Sequence, residues 1–224
     1  MAGVRTSVAE YELLCTGDAR RASEVMQGIE FANEEAYVLI IARTAAIYAR
    51  NWERLAELLD IPLPLEGDLG PAFDALWRAA SYQLMSREDD AAHVLVEASQ
   101  LLADLDAENS LTGTHRYARV RLGYHALRGD TEATLHWMEE HRARVRQQLK
   151  GDKAEEVENQ LLYADALVRI GHLEAAVDQL ASLFGSDANY FSFVLIESDP
   201  VFDPIRSLPA YRELKEKYLR AQPE

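Results

Sequence analysis

The residues of this chain that could do chemistry are few, and their spacing decides what they could do together. His136 and His141 bracket the segment His136-Trp-Met-Glu-Glu-His141, which superficially suggests a metal site. Five positions apart on a helix, two side chains point about 140° away from one another, so they cannot close on one ion. Glu140 follows His136 by one turn, and a single Glu–His pair of that kind is a weak helix contact rather than a ligand set. Cys15 is the only cysteine, which excludes an intramolecular disulfide and a thiolate cluster within one chain. No base lies near it in sequence to activate a thiolate, and its type suits a small buried hydrophobe. There is no glycine-rich phosphate loop, no nucleophile elbow and no helical zinc signature. The expectation is a protein with no catalytic residue, no metal and no cofactor, whose activity is binding.

Charge narrows what is bound. The 224 residues carry a formal net charge of -15, with 48% apolar and 27% charged residues. That composition folds, and its acidity repels phosphate backbones and anionic lipid, so no nucleic acid and no membrane insertion are expected. The most basic run, His141-Arg-Ala-Arg-Val-Arg-Gln-Gln-Leu-Lys150, is read as the end of a helix, where cations complement the negative end of the dipole. Gly151 and Asp152 then close that helix and start the next, with Asp152 and Glu155 spaced as a capping box. The longest wholly apolar stretch, Ala36 to Ala42, falls far short of the ~20 residues that span a bilayer. A cytoplasmic location is expected, or a periplasmic one if the chain is part of a membrane-anchored regulator. Oligomeric state does not follow from the sequence.

The elements that must position these residues are helices. Apolar residues recur three and four positions apart almost throughout, with no sustained strand-like alternation. Leu161, Ala164, Leu167 and Val168 form one amphipathic face, Gly171 interrupts it, and Leu173, Ala176, Val177 and Leu180 form the next. Gly171 suits the left-handed conformation that ends a helix because it has no Cβ to clash. The same punctuation recurs at Gly17 and Gly129, and in weaker form at Asn51 and Arg87, giving intervals of 34, 36, 42 and 42 residues. Five positions after each lies a small residue: Ala22, Ala56, Ala92, Thr134 and Ala176. Two antiparallel helices packed closely leave no room for more at their crossing.

This period, turn and alanine resemble the tetratricopeptide repeat, whose period is ~34 residues. The resemblance covers residues 5 to 187. It implies an all-α fold, an alpha-alpha superhelix in which a solenoid of about five helix pairs occupies 1–187 and capping helices occupy 188–224. Ile61-Pro-Leu-Pro-Leu-Glu-Gly-Asp-Leu-Gly-Pro71 reads as an inter-repeat loop or as a proline segment for a partner, and Ala107 to Thr114 as a polar connector. Asp199-Pro-Val-Phe-Asp-Pro-Ile-Arg206 and Pro209-x-Tyr211-x-x-Leu214 resemble the end of tetratricopeptide modules attached to bacterial transcription regulators, adenylate cyclases and serine/threonine kinases. There Phe202, Ile205, Leu208, Tyr211, Leu214 and Tyr218 would cover the last apolar face, leaving Arg212, Lys215 and Lys217 in water.

The resemblance also nominates the groove lining, by counting back from each turn to the first helix of each pair. It places Val38, Ile41, Ala45 and Tyr48 there, then Asp74, Trp77, Ser81 and Leu84. Arg116, Arg119 and Gly123 follow, and last Glu158, Leu161, Asp165 and Arg169. Trp77 is either a partner anchor or a side chain buried between repeats. Arg116 and Arg119 would offer guanidinium forks to carboxylates. The lysine–asparagine carboxylate clamp of some tetratricopeptide cochaperones does not carry over, because Ala45, Ser81, Gly123 and Asp165 stand at its asparagine positions. The expected partner-binding set is therefore Trp77, Asp74, Ser81, Arg116, Arg119, Glu158, Asp165 and Arg169, holding a peptide or helix of a protein partner. The alternative is a small-molecule-sensing domain of a larger transcription regulator or cyclase.

Overall fold

The computed structural model describes residues 2–31, 35–108, 110–149, 153–184 and 193–221. These residues are helical, with no strand among them. In chain order the helices are α1 (Ala2–Tyr11), α2 (Ala19–Val25), α3 (Ala36–Tyr48), α4 (Trp52–Leu59), α5 (Gly70–Leu84) and α6 (Glu88–Glu108). They continue as α7 (His115–Leu127), α8 (Thr131–Gln148), α9 (Lys153–Arg169), α10 (Leu173–Phe184), α11 (Phe193–Ser198) and α12 (Pro209–Ala221). A π-helical turn, Glu12–Thr16, extends α1, and a 3-10 turn, Pro200–Ile205, precedes α12. The chain divides into two compact units, one of residues 1–98 with 192–200 and the other of 99–191 with 201–224.

Each helix pair is joined by the same short turn. The turn residues Gly17, Arg50, Ser86, Gly129 and Gly171 all have positive φ, between 52° and 76°. At four of them the backbone closes identically. The turn residue's N–H reaches back to Ile47, Gln83, Ala126 or Val168, and the following N–H to Ala46, Tyr82, His125 or Leu167, at 2.8 to 3.0 Å. That pair of bonds is the Schellman arrangement, which satisfies carbonyls the ending helix would otherwise leave bare. The residue after the turn then starts the next helix. Asp18, Asn51 and Asp130 cap it by accepting the N–H of Arg21, Arg54 and Ala133.

The register at two turns differs by one residue from the sequence expectation. The sequence pattern points to Asn51 and Arg87 as the left-handed positions, whereas Arg50 and Ser86 occupy them and Asn51 is the N-cap of α4. Counted from the true turns, the fifth residues are Ala22, Leu55, Ala91, Thr134 and Ala176, each no more than 1% exposed. Ala56 is only half-buried and Ala92 is exposed. The crossing therefore accepts leucine once, and at Thr134 it accepts a hydroxyl that donates to the Asp130 carbonyl at 2.6 Å.

In the first unit, α1 lies against α2 and α3, and α3 against α4. The core there runs through Leu13, Ala22, Met26, Leu39, Ala42, Ala46, Leu55 and Leu58. The α11 helix packs on the turn after α1, and a Cβ placed on Gly17 would sit 2.2 Å from Val194 Cγ1. Cys15, expected to be buried, is exposed beside this turn, because the π-helical turn carries Leu13 into the core and leaves Leu14 and Cys15 facing out. In the second unit α7 packs on α8, α9 on α10, and α7 on α9. There α12 lies on α10, burying Tyr211 and Leu214, and the preceding 3-10 turn buries Phe202 and Ile205. Leu208 and Tyr218 are half-buried, and Arg212 and Lys217 are exposed as expected, with Lys215 half-buried. The capping box expected at Asp152 and Glu155, and the stretch 185–192 around the expected 187/188 boundary, lie outside what the structure describes.

Two substitutions separate backbone strain from packing. Gly171 has open space around it, so Gly171→Ala adds only left-handed strain, about 1–2 kcal/mol. Gly17→Ala meets the same strain and Val194 as well, so it costs more in denaturant unfolding. Val194→Ala in the Gly17→Ala background recovers the excess, and additivity of the two changes would show that the close approach carries no weight.

Candidate functional site

The candidate residues of α5 point into the first unit. Asp74 is 7% exposed. Its Oδ1 accepts from Arg43 Nη1 at 3.0 Å and from the Leu63 N–H at 3.3 Å. Ser81 is fully buried and Trp77 is half-buried against the core. Val38 and Ala45 on α3 are also in the core, with Ile41, Tyr48 and Leu84 partly buried. Arg43, which sequence reasoning did not single out, is the centre of this arrangement and has no exposed surface. Its Nε and Nη2 donate to the Leu58 carbonyl at 3.3 Å, and Nη2 donates to the Ile61 carbonyl at 2.6 Å. One guanidinium thus ties α3 to the end of α4, the loop after it and α5. Burial pulls the pKa of Arg43 down, and Asp74 opposes that by hydrogen bond and charge.

The candidates in the second unit lie at the surface. Arg116 is exposed on α7, and among the described residues nothing pairs with it. Arg119, one turn on, makes a 3.6 Å contact with Glu158 of α9, the two side chains being 34% and 63% exposed. Such an exposed pair contributes ~0–1 kcal/mol and opens readily. Asp165 and Arg169 pair along α9 itself, Nε lying 2.9 and 3.0 Å from the two carboxylate oxygens. Gly123 and Leu161 are half-buried on the same helices. The structure therefore brings Arg116, Arg119, Glu158, Asp165 and Arg169 onto two neighbouring helices, and keeps Asp74, Trp77 and Ser81 in the other unit.

The basic run on α8 has internal partners. Arg144 donates to the carbonyls of Thr112 and Thr114 at 2.7 and 3.2 Å and to Glu140 at 3.1 Å. It also lies 5.6 Å from the Trp137 ring, which Arg121 approaches at 5.7 Å. Arg121 and Tyr117 both donate to Asp106, so this stack closes on the end of α6. Arg142 bonds Glu139 and Gln179 and covers the Tyr163 ring at 4.6 Å. The run holds the polar connector 112–114 and α10 in place, rather than only complementing a helix end.

His136 is exposed and His141 buried, the divergence their spacing requires. His141 Nδ1 lies 2.8 Å from Tyr163 Oη. Burial, and after it the like charge of Arg119, pulls the imidazole pKa down to about 4, and burial pushes Tyr163 up to about 12. Among the described residues no group of three His, Cys, Asp or Glu is placed to hold a metal ion, and no helix is long and apolar enough to cross a membrane. Comparison of the chain with protein-family models, with curated proteins and with solved structures returned no match in any of the three.

Two measurements probe these interior groups. Arg43→Ala takes the closer of two cations from the buried Asp74 carboxylate and removes the donors to the Leu58 and Ile61 carbonyls, so unfolding free energy falls by about 3 kcal/mol, whereas Arg43→Met with Asp74→Leu falls by much less. For His141 the folded pKa of about 4 lies below the free value of 6.5. Its contribution is therefore fully present above pH 6.5 and is lost as pH falls toward 4, by about 3 kcal/mol in all. Denaturant midpoints for the wild type and His141→Gln, compared from pH 4 to 7, show the wild type losing stability more steeply across that window. Parallel slopes would mean that the imidazole titrates as if exposed.

Proposed function

We propose that the chain is a non-catalytic protein-interaction module, a tetratricopeptide-like solenoid that holds a peptide or helix of a partner protein. The observation that carries this reading is the recurrence of one helix–turn–helix construction, with left-handed residues 33, 36, 43 and 42 positions apart. Within each unit the first helix of one pair lies against the first helix of the next, α1 on α3 and α7 on α9. Stacking of that kind presents the first helices side by side as a binding face. The C-terminal resemblance to modules of bacterial signalling proteins supports a regulatory setting, with the protein itself in the cytoplasm.

The face that best suits a partner is that of α7 and α9. Arg116 has no internal carboxylate, and Arg119 has a weak one, so both can turn to a partner's acidic side chain or C-terminus. Asp165 and Arg169 hold each other and would fix the neighbouring surface. Trp77, half-buried on α5, would serve as an anchor in the first unit, where Asp74 and Ser81 lie inside.

Fluorescence titration of acidic and basic peptide pools against the intact chain tests the reading. Acidic peptides bind the wild type, and Arg119→Glu weakens them at least tenfold, a difference of about 1.4 kcal/mol, with helicity unchanged. Trp77→Ala weakens binding without changing the acidic preference. Equal affinity in both variants, or no saturable binding to any peptide, sinks the assignment.

A further inference from the structure

The first unit contains a cleft of about 400 Å³ between the proline loop after α4 and the start of α5. Its lining is mixed, with Leu59, Pro62, Leu63, Leu65 and Pro71 on the apolar side. Its polar groups are Asp60, Asp74, Arg78 and Glu97. The volume lies within the range of small-ligand sites, and the charged groups are gathered beside one apolar wall.

The loop that forms the outer wall is held rather than loose. The Leu65 N–H donates to the Leu63 carbonyl at 2.8 Å and the Gly70 N–H to the Gly67 carbonyl at 3.0 Å. A Cβ on Gly70 would come 2.6 Å from the Leu65 carbonyl oxygen, so the loop seats directly on the first residue of α5. Pro62 and Pro71 stiffen the two sides further. Arg43 fixes the inner end of the loop through the Ile61 carbonyl. The cleft is therefore present before any ligand arrives.

Its charges are unbalanced in one direction. Asp74 is held by Arg43 at 3.0 Å and by Arg78 Nε at 3.3 Å, and Glu97 by Arg78 Nη2 at 2.7 Å. Two guanidiniums thus serve two carboxylates, and Asp60 is the third. Among the described residues no hydrogen bond or ion pair engages the Asp60 carboxylate. Arg87 feels the charge of Asp60 through space, but its guanidinium is bound to Asp90 at 2.7 Å. Asp60 also sits at the C-cap of α4, a helix with no basic residue in its last turn. A carboxylate there meets the negative end of the helix dipole and is unfavourable on its own account. A cation placed against it would be drawn by both the carboxylate and the helix end.

We propose that this cleft takes a lysine or arginine side chain from a basic segment of a protein partner. The aliphatic stem lies along Leu59, Leu63 and the two prolines, and the cationic head reaches Asp60 and the free edge of Glu97. This fit matches how long cationic side chains bury their stems and keep their heads polar. The net charge of -15 draws such a segment in. The site is separate from Arg116 and Arg119, which call for acidic groups, and it stands whether or not that face binds.

The test uses the intact chain with methyl-labelled leucine and three dipeptides: acetyl-leucyl-lysine amide, its norleucine isostere and its glutamate counterpart. Cadaverine serves as a free diamine. The lysine peptide shifts the Leu59 and Leu63 methyl signals saturably, norleucine binds about fivefold more weakly, and glutamate does not bind. Asp60→Asn weakens the lysine peptide about fivefold while its melting temperature is unchanged or higher, since the substitution removes a charge the helix end disfavours. Equal binding of lysine and norleucine, shifts confined to other methyls, or no saturable binding overturns the proposal. Cadaverine binding as tightly as the peptide overturns it in favour of a small-amine site.

Discussion

A helix that stops leaves its last carbonyls without intrahelical partners, and a chain that stops repeatedly must resolve this each time without a long loop. Here the resolution is one left-handed residue followed by a residue that caps the next helix. The whole arrangement depends on it. Once the left-handed residue is placed, the next helix must start within one residue, and its fifth position must fall where the two helices cross. Only small or well-fitted side chains survive there, as the burial of Ala22, Leu55, Ala91, Thr134 and Ala176 shows. Arg50 and Ser86 accept the Cβ strain of positive φ, which glycine avoids at the other three turns. The geometry of the pair outweighs the preference of the residue.

That hierarchy explains what the sequence disclosed. The helical class followed from the three-and-four spacing of apolar residues, and the turns at Gly17, Gly129 and Gly171 followed from glycine itself. At the second and third turns no glycine marks the site, and Asn51 offered a plausible substitute. Asparagine, however, serves two roles at adjacent positions, tolerating the left-handed turn and capping the following helix. The structure uses the second role, which moves the register by one residue and replaces Ala56 by Leu55 at the crossing. The expectation for Cys15 rested on residue type, which carries no face, and the π-helical turn takes Leu13 inward and leaves Cys15 outside.

The candidate site was legible where it depended on position along one helix and illegible where it depended on distant partners. The register of the resembled repeat puts Arg116 and Arg119 on one face of α7, and the structure leaves the first exposed and the second partly so. Arg43 and Asp74 are 31 residues apart and His141 and Tyr163 22 apart, and no local pattern signals that either pair will meet in the interior. Asp74 has the register of a first-helix face, but the proline loop folds over it and supplies the Leu63 N–H, so the same register leads inward. A position in a repeat specifies a direction, and the neighbouring loop determines whether that direction ends in solvent.

The distribution of arginine follows from the same constraint. Of 23 basic residues, 19 are arginine. A planar guanidinium can bond several carbonyls at once and lie flat on an aromatic ring, which a lysine ammonium cannot. Arg43 and Arg144 each collect backbone carbonyls from segments that have no regular partner, and Arg121, Arg142 and Arg144 lie on Tyr117, Trp137 and Tyr163. In a chain with 38 acidic residues, the cations assigned to holding loops and aromatic rings are unavailable to balance surface charge. Arg116 faces water without a carboxylate partner, and the Asp60 carboxylate at the end of α4 makes no hydrogen bond or ion pair among the described residues, although Arg87 feels its charge. Each is a charge that the internal hydrogen bonds and ion pairs of the described residues do not use, which is why the proposed contacts are placed there.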